Sequence, residues 1–180
     1  MSKSRWVGGV AAIVLAISLP AAAHAQNPQD RMGFWFNAGL GYGSLGQENV
    51  DSREGGLSGG LQIGTTLSQK LLIGAGANAW RKSENGATLT AATYTALVRF
   101  YPSATGGFFL NGGLGIGRVD MEVEGLGSAA ENGLGVMLGL GYDFRVGRNV
   151  SVTPFWNGAA ISNDAGSANF GQIGLGLTVH

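Results

Sequence analysis

The alternation of apolar residues with glycine or small polar residues is the feature that most constrains how this chain folds. The segment GLGVMLGLGYDFRV shows it clearly, because Leu134, Val136 and Leu138 occupy every second position. A period of two places successive side chains on opposite faces of a β-strand. The pattern therefore predicts strands whose two faces meet different surroundings.

Eight segments of the chain carry this alternation. We predict strands at about 34–43, 57–67, 71–80, 89–101, 108–117, 134–143, 150–157 and 170–180. Pro154 counts against the seventh strand, since proline cannot donate to a β-ladder. Short turns at 68–70, 102–107 and 147–149 alternate with longer polar loops at 44–56, 120–132 and 159–168 and a shorter one at 83–86. This layout predicts an all-β, eight-stranded antiparallel up-and-down barrel.

The first segment of the chain has the features of a secretory signal. Lys3 and Arg5 precede an apolar stretch at 7–19, and Ala23-His24-Ala25 fits the small-residue cleavage pattern. The alternative is an uncleaved anchor, but the stretch is shorter than the roughly 20 residues that a spanning helix needs. We predict a cleavable signal peptide at 1–25, an N-terminal periplasmic lead at 26–32 and a barrel domain at 33–180.

The face opposite the apolar one distinguishes a membrane barrel from a soluble one. A soluble barrel carries charge on its outer face, whereas here that second face carries glycine, serine, threonine and amides. Only 12% of residues are charged, against about 25% in a typical soluble domain, and 33 of the 180 residues are glycine. Closing the sheet also satisfies every backbone polar group in lipid. We therefore predict a transmembrane barrel in the outer membrane of a Gram-negative-type bacterium.

Other composition features exclude several classes. The 11 basic and 11 acidic residues leave no basic excess for nucleic acid, and the absence of cysteine excludes a disulfide framework. Aromatic residues near the strand ends are expected to form the girdles of a membrane barrel. They are Phe34, Phe36, Phe100, Tyr101, Phe108, Tyr142 and Phe144.

Four segments give the chain a family resemblance. The opening GFWFNAGLGYG, the middle FFLNGGLGIGR and GLGVMLGLGYDFRV, and the closing FGQIGLGLTVH resemble the small outer-membrane β-barrels that include the OmpA-type transmembrane domain and OmpX. The resemblance implies lipid and lipopolysaccharide as surroundings and insertion by the barrel-assembly machinery. Family members usually finish with an aromatic residue, whereas this chain finishes Val179-His180, so we expect its insertion signal to be read differently.

Charged residues on the inward face are the main site candidates. Strand parity places Arg99, Asp143 and Arg145 inward near the turn end, where a charge needs a partner. We hypothesise an ion pair between Arg99 and Asp143, with Gln62 and Asn111 as hydrogen-bonding neighbours. This polar network either stabilises the barrel as a plug or forms a gate for small solutes.

Catalysis and metal binding have little support in the sequence. His180 is the only histidine after the signal, and no nucleophile elbow or His/Cys zinc cluster occurs, so we expect no enzyme, catalytic residue, metal or cofactor. Asp120, Glu122 and Glu124 share one predicted loop and are candidate contacts for Ca²⁺ or Mg²⁺ bridging lipopolysaccharide phosphates. The alternative is that these carboxylates are only solvated.

The predicted barrel also bears on the role of the protein. We expect an integral barrel with a side-chain-filled lumen and a structural or surface-interaction role, since eight strands enclose little space. One alternative is a narrow pore or lateral path for small or hydrophobic solutes. A second is a soluble periplasmic barrel that binds a ligand. No extracellular ligand can be named from the sequence.

Overall fold

The computed structural model describes residues 31–48, 52–125, 127–163 and 166–180. Its strands are β1 (Phe34–Gln47), β2 (Glu54–Ser68), β3 (Leu71–Glu84), β4 (Ala87–Phe100), β5 (Phe108–Val123), β6 (Gly127–Tyr142), β7 (Phe144–Arg145), β8 (Val150–Asn163) and β9 (Gly166–Val179). The predicted signal peptide at 1–25 lies outside the described residues. The described part of the chain contains no helix that is long and apolar enough to cross a membrane.

The strands close into a barrel. Each pairs antiparallel with its neighbours, β1 joins β9, and β6 and the two-residue β7 together pair with β8. The predicted eight-stranded up-and-down barrel is therefore confirmed, with β6 and β7 forming one wall segment. Following the pairing once around from Phe36 leads back to β1 at Gly46, ten residues further on. This shift tilts the strands and sets the barrel width.

The strands are longer, and the loops shorter, than the sequence predicted. β5 continues to Val123 and β6 begins at Gly127, so most of the loop predicted at 120–132 is strand. The loops predicted at 44–56 and 159–168 are shortened in the same way. Backbone pairing continues beyond the alternating apolar segments, because hydrogen bonding between main chains does not need apolar side chains. β8 also runs through Pro154, opposite Leu175.

One hairpin shows how the strand ends are joined at the loop end. Asn85 and Gly86 both have positive φ, at 51° and 77°, between the paired residues Glu84 and Ala87. Two residues with positive φ make the tight turn whose twist matches the flanking strands. The end that carries this hairpin is called the loop end, and the opposite end, where residue 31 and His180 lie, is called the turn end.

The outward face is apolar and exposed. Leu40 is 71% exposed and Leu138 is 63% exposed, although both would be core residues in a soluble protein. On β1 this face runs from Phe34 to Tyr42 and ends at Ser44, which is a rise of about 25 Å for tilted strands. The girdle residues Phe34, Phe36, Phe100 and Phe108 lie on this face, whereas Tyr142 and Phe144 are only half-exposed.

Tyr101 is the exception among the predicted girdle residues. Its side chain is fully buried inside the barrel, so the prediction of a membrane-facing role is wrong. The cause is strand parity, because Tyr101 lies two residues beyond the inward-facing Arg99. The barrel interior therefore gains an aromatic ring and a phenol at its turn end.

The interior is packed at both ends. At the turn end, Trp35, Leu72, Leu97, Tyr101 and Phe109 form one buried cluster. At the loop end the strand extensions contribute a second cluster made of Leu45, Trp80, Ala91, Ala159, Ile161, Ala168 and Phe170. The inward face is thus less uniformly polar than the sequence predicted, because the extended strands carry apolar residues inward.

Candidate functional site

Arg99 is the central charged residue of the barrel interior. It lies on the inward face of β4 and is only 1% exposed. Its Nη2 donates to Gln62 Oε1 at 2.6 Å, and its Nε donates to Asn111 Oδ1 at 3.0 Å. The structure thus brings Arg99 together with the two neighbours that the sequence placed beside it. These bonds fix the guanidinium between β2 and β5.

Two aromatic rings enclose the same guanidinium. Its central carbon lies 4.0 Å from the centroid of Phe109 and 4.6 Å from that of Trp35. Both rings are almost fully buried. The negative faces of aromatic rings attract a cation, and a buried arginine stacks well against them because its guanidinium is planar and weakly hydrated.

Asp143 is connected to Arg99 through the phenol of Tyr101. Tyr101 Oη donates to Asp143 Oδ2 at 2.7 Å, and Arg99 Nη1 donates to Tyr101 Oη at 3.4 Å. The expected link between the two charges is therefore mediated by a third side chain. The sequence prediction omitted this residue, although the parity of β4 already placed it inward.

Further polar side chains surround Asp143. Thr153 Oγ1 donates to Asp143 Oδ1 at 2.7 Å, and lies 2.7 Å from Thr178 Oγ1. Asn37 Nδ2 donates to that same Thr178 hydroxyl at 2.8 Å. His180 Nε2 lies 3.5 Å from Asp143 Oδ2, with its side chain only 4% exposed. We call the group formed by Asn37, Gln62, Arg99, Tyr101, Asn111, Asp143, Thr153 and Thr178 the turn-end network.

Arg31 covers this network from the turn end. Its guanidinium carbon lies 3.4 Å from the centroid of the Tyr101 ring, and the residue is 1% exposed. Its side chain donates to the carbonyl oxygens of Gln69, Ala104 and Gly106, and its backbone N–H donates to Gln69 Oε1. Burial lowers the pKa of Arg31, but an arginine stays charged at physiological pH.

Arg145 lies apart from the turn-end network. It is half-exposed on the short β7, where its guanidinium donates to the carbonyl oxygens of Gly147 and Arg148. Parity places it inward, but at this position the strand has reached the end of the barrel. The adjacent turn therefore provides nearer acceptors than the lumen does.

The acidic residues considered for cation binding do not form a cluster with ligand geometry. Asp120 and Glu122 lie on β5 rather than in a loop, and Glu124 follows the end of that strand. Asp120 accepts from Arg118 Nε at 2.8 Å. Among the described residues, no group of three or more His, Cys, Asp or Glu side chains is placed to hold a metal ion.

Side chains also fill the middle and the loop end of the barrel interior. Asn78 Oδ1 accepts from Gln172 Nε2 at 3.0 Å and from Asn157 Nδ2 at 3.3 Å, which connects three strands across the interior. The loop-end cluster lies beyond these amides. Above it, a shallow depression of about 220 Å³ is lined by Glu48, Glu131 and other rim residues.

These layers define a class of protein. A closed barrel with an exposed apolar wall and a side-chain-filled interior is an integral membrane β-barrel. A family model described as the outer membrane protein beta-barrel domain matches residues 10–180. The chain belongs to this family of outer-membrane barrel proteins, and membership implies the outer membrane of a Gram-negative bacterium.

Solved structures agree with this fold. Neisserial surface protein A (NspA) aligns with a TM-score of 0.62 at 14% identity, covering 84% of this chain and 99% of that chain. Ail, the attachment invasion locus protein of Yersinia pestis, aligns with a TM-score of 0.55 at 12% identity, covering 83% of this chain and 99% of that chain. No curated protein sequence matches the chain.

Proposed function

We propose that this protein is a closed outer-membrane barrel with a structural or surface-interaction role. The turn-end network stabilises the barrel, and the loop end presents the surface available to partners outside the cell. The turn end faces the periplasm in this proposal, and the chain reaches the membrane by export with a cleavable signal at 1–25. Mass spectrometry of the mature protein is expected to show Gln26 as the first residue, and retention of residues 1–25 would contradict the export step.

The filled interior is the observation that carries the proposal. Arg99 is held by Gln62, Asn111 and two aromatic rings, and the loop-end cluster closes the other half. A solute would have to displace both layers. A plug that stabilises the barrel therefore accounts for the network better than a gate for solutes does.

Uptake of small neutral sugars by liposomes tests the closed state. Liposomes that contain the folded protein are expected to swell no faster in isotonic sugar than empty liposomes do. A general porin in matched liposomes provides the positive control. Swelling that scales with the amount of folded protein would favour the narrow-pore alternative.

Fractionation of cells tests the second alternative. Recovery of the protein in the aqueous periplasmic fraction, rather than in the membrane fraction, would favour a soluble ligand-binding barrel.

The charge of the loop end indicates which partners suit the surface. Its described acidic residues outnumber the basic ones: Glu48, Glu54, Glu84, Asp120, Glu122, Glu124 and Glu131 against Arg53, Arg81, Lys82 and Arg118. Lys82 is paired with both Glu54 and Glu84, so this group of three residues keeps a net negative charge. A cationic partner is therefore favoured over a polyanion.

A comparison with Ail makes the charge argument testable. Ail has been solved in complex with the heparin analogue sucrose octasulfate. The present barrel, with its acidic loop end, is expected to pass through a heparin column at physiological salt, whereas Ail run in parallel is expected to be retained. Retention of this barrel at the same salt concentration would contradict the assignment of a cationic partner.

A further inference from the structure

Charged residues on the outward face of the strands are confined to one sector of the wall. Within the described strands, the outward positions carry charge at Arg81 on β3 and at Arg118, Asp120 and Glu122 on β5. The outward positions of the intervening β4 carry none. The two arginines are thus the cations that this wall turns toward the membrane.

The register places the two arginines at the same height. Arg81 is paired with Thr90, and Thr90 with Asp120, so the hydrogen-bonded row from Arg81 reaches β5 at Asp120. A row of hydrogen-bonded pairs rises by ten residues toward the loop end in one full circuit of the eight wall strands. Over two neighbouring strands the rise is therefore about two to three residues. The position on β5 level with Arg81 is therefore Arg118, roughly 12 Å away for strands at ordinary spacing.

This height is the upper edge of the apolar band. The outward positions at about the same level on other strands are polar, among them Ser44 on β1 and Ser162 on β8. Below them the outward side chains are apolar on every strand except β2, where the polar Thr65 lies near the turn end. Arg81 and Arg118 therefore lie at the level of lipid headgroups in the leaflet at the loop end.

The two arginines differ in how they are held. Arg118 forms an ion pair with Asp120, whose carboxylate contacts Arg118 Nε and Nη2. Asp120 lies on the loop-end side of Arg118, away from the apolar band. No described residue accepts a hydrogen bond from Arg118 Nη1, so this atom can donate to another acceptor. The Arg81 side chain is exposed and makes no hydrogen bond or ion pair with any residue that the structure describes, although its main chain pairs with the neighbouring strands.

The wall beneath the arginines has room for acyl chains. Ala79 and Ala92 are paired directly below them, and Ala77 and Ala75 continue down β3. Two adjoining grooves of about 570 and 710 Å³ share Ala77 and Leu61, and bulkier side chains such as Leu40 and Tyr94 border them. Chains packed into these grooves would lie under a headgroup bound by the arginines.

We propose that Arg81 and Arg118 bind the phosphates of a phosphorylated glycolipid, of the lipopolysaccharide type, in the leaflet at the loop end. An acylated disaccharide with a phosphate at each end presents two anions across its width and several chains below. It therefore matches two separated cations above broad apolar grooves, whereas a phospholipid presents one phosphate and two chains. This binding is independent of whether the lumen is closed.

Native mass spectrometry of the folded barrel in detergent tests the site. The probes are bisphosphorylated lipid A, the same lipid without phosphates, and phosphatidylglycerol. The double variant Arg81→Ala/Arg118→Ala is expected to bind bisphosphorylated lipid A at least about tenfold more weakly than the wild type, because it lacks both charge-assisted contacts to the phosphates. The variant Arg81→Lys/Arg118→Lys is expected to retain intermediate affinity because it keeps both charges.

The matched control is Arg148→Ala, which removes one exposed arginine at the turn end and is expected to leave lipid A binding unchanged. Heat-modifiable gel mobility establishes that each variant is folded. Equal binding of dephosphorylated lipid A, or unchanged binding by the folded double alanine variant, would overturn the proposal. Phosphatidylglycerol binding with the same affinity and the same arginine dependence would overturn the choice of a glycolipid.

Discussion

Tyr101 Oη donates a 2.7 Å hydrogen bond to Asp143 Oδ2, and this contact connects the fourth wall strand to the segment after β6 inside the barrel. The phenol also accepts from Arg99, and its ring lies under Arg31. One side chain therefore contacts Arg31, Arg99 and Asp143. Its removal tests whether the network acts as a unit.

Replacement of Tyr101 with phenylalanine keeps the ring but removes the hydroxyl. Asp143 then loses a buried donor, so we expect the free energy of unfolding to fall by about 1–3 kcal/mol. Urea unfolding of the barrel in lipid, followed by gel mobility, measures the change. Tyr42→Phe is the control, since Tyr42 is 63% exposed on the outer wall. Equal effects of the two substitutions would refute a special role for the Tyr101 hydroxyl.

Arg99→Ala removes the central cation of the network. Gln62 and Asn111 then lose their partner, and Asp143 loses a nearby positive charge, so we expect destabilisation of about 3–5 kcal/mol. Heat-modified gel mobility and thermal melting report the loss. Arg148→Ala, an exposed change of the same charge, is expected to stay within about 0.5 kcal/mol of wild type. Unchanged melting of Arg99→Ala would exclude the structural plug.

Arg31→Ala is expected to open the turn end without unfolding the barrel. The chain contains no cysteine, so a single Ser151→Cys substitution on the inward face provides a reporter that is buried in the wild type. Its labelling by a hydrophilic maleimide is expected to become at least about tenfold faster in the Arg31→Ala background, equivalent to about 1.4 kcal/mol of lost closure. The same labelling rate in both backgrounds would show that Arg31 does not cover the lumen.

Adjacent glycines on β5 test the assignment of the two faces. A Cβ at Gly113 would lie 2.7 Å from Thr95 Oγ1 and 3.0 Å from Ala96 O, whereas a Cβ at the outward Gly112 would meet only Leu138 Cδ2, at 3.7 Å. We expect Gly113→Leu to prevent folding into the heat-modifiable form and Gly112→Leu to fold normally. The reverse result would mean that the strand faces have been assigned the wrong way round.

The barrel could be predicted from the sequence because two signals agree. Period-two alternation identifies the strands, and the scarcity of charge on both faces places them in lipid. The strand ends could not be predicted in the same way. Residues such as Asp120 and Glu122 read as loop because they are polar, but above the membrane a strand carries polar side chains at no cost.

Only part of the turn-end network could be predicted from the sequence. Parity places Arg99, Gln62, Asn111 and Asp143 inward, and the structure brings them to the same end of the lumen. Parity also places Tyr101 inward, but its position at a strand end favoured a girdle role. Arg31 precedes β1 and carries no periodic signal, so only the folded arrangement of the turns shows its contacts.

Ion conductance in planar lipid bilayers tests the central claim, that side chains fill and close the lumen, most directly. The folded wild-type barrel is expected to show no reproducible discrete openings at moderate voltage, at protein amounts for which a porin control conducts readily. Discrete openings of constant amplitude in the wild type would contradict a lumen closed by the turn-end network and the loop-end cluster.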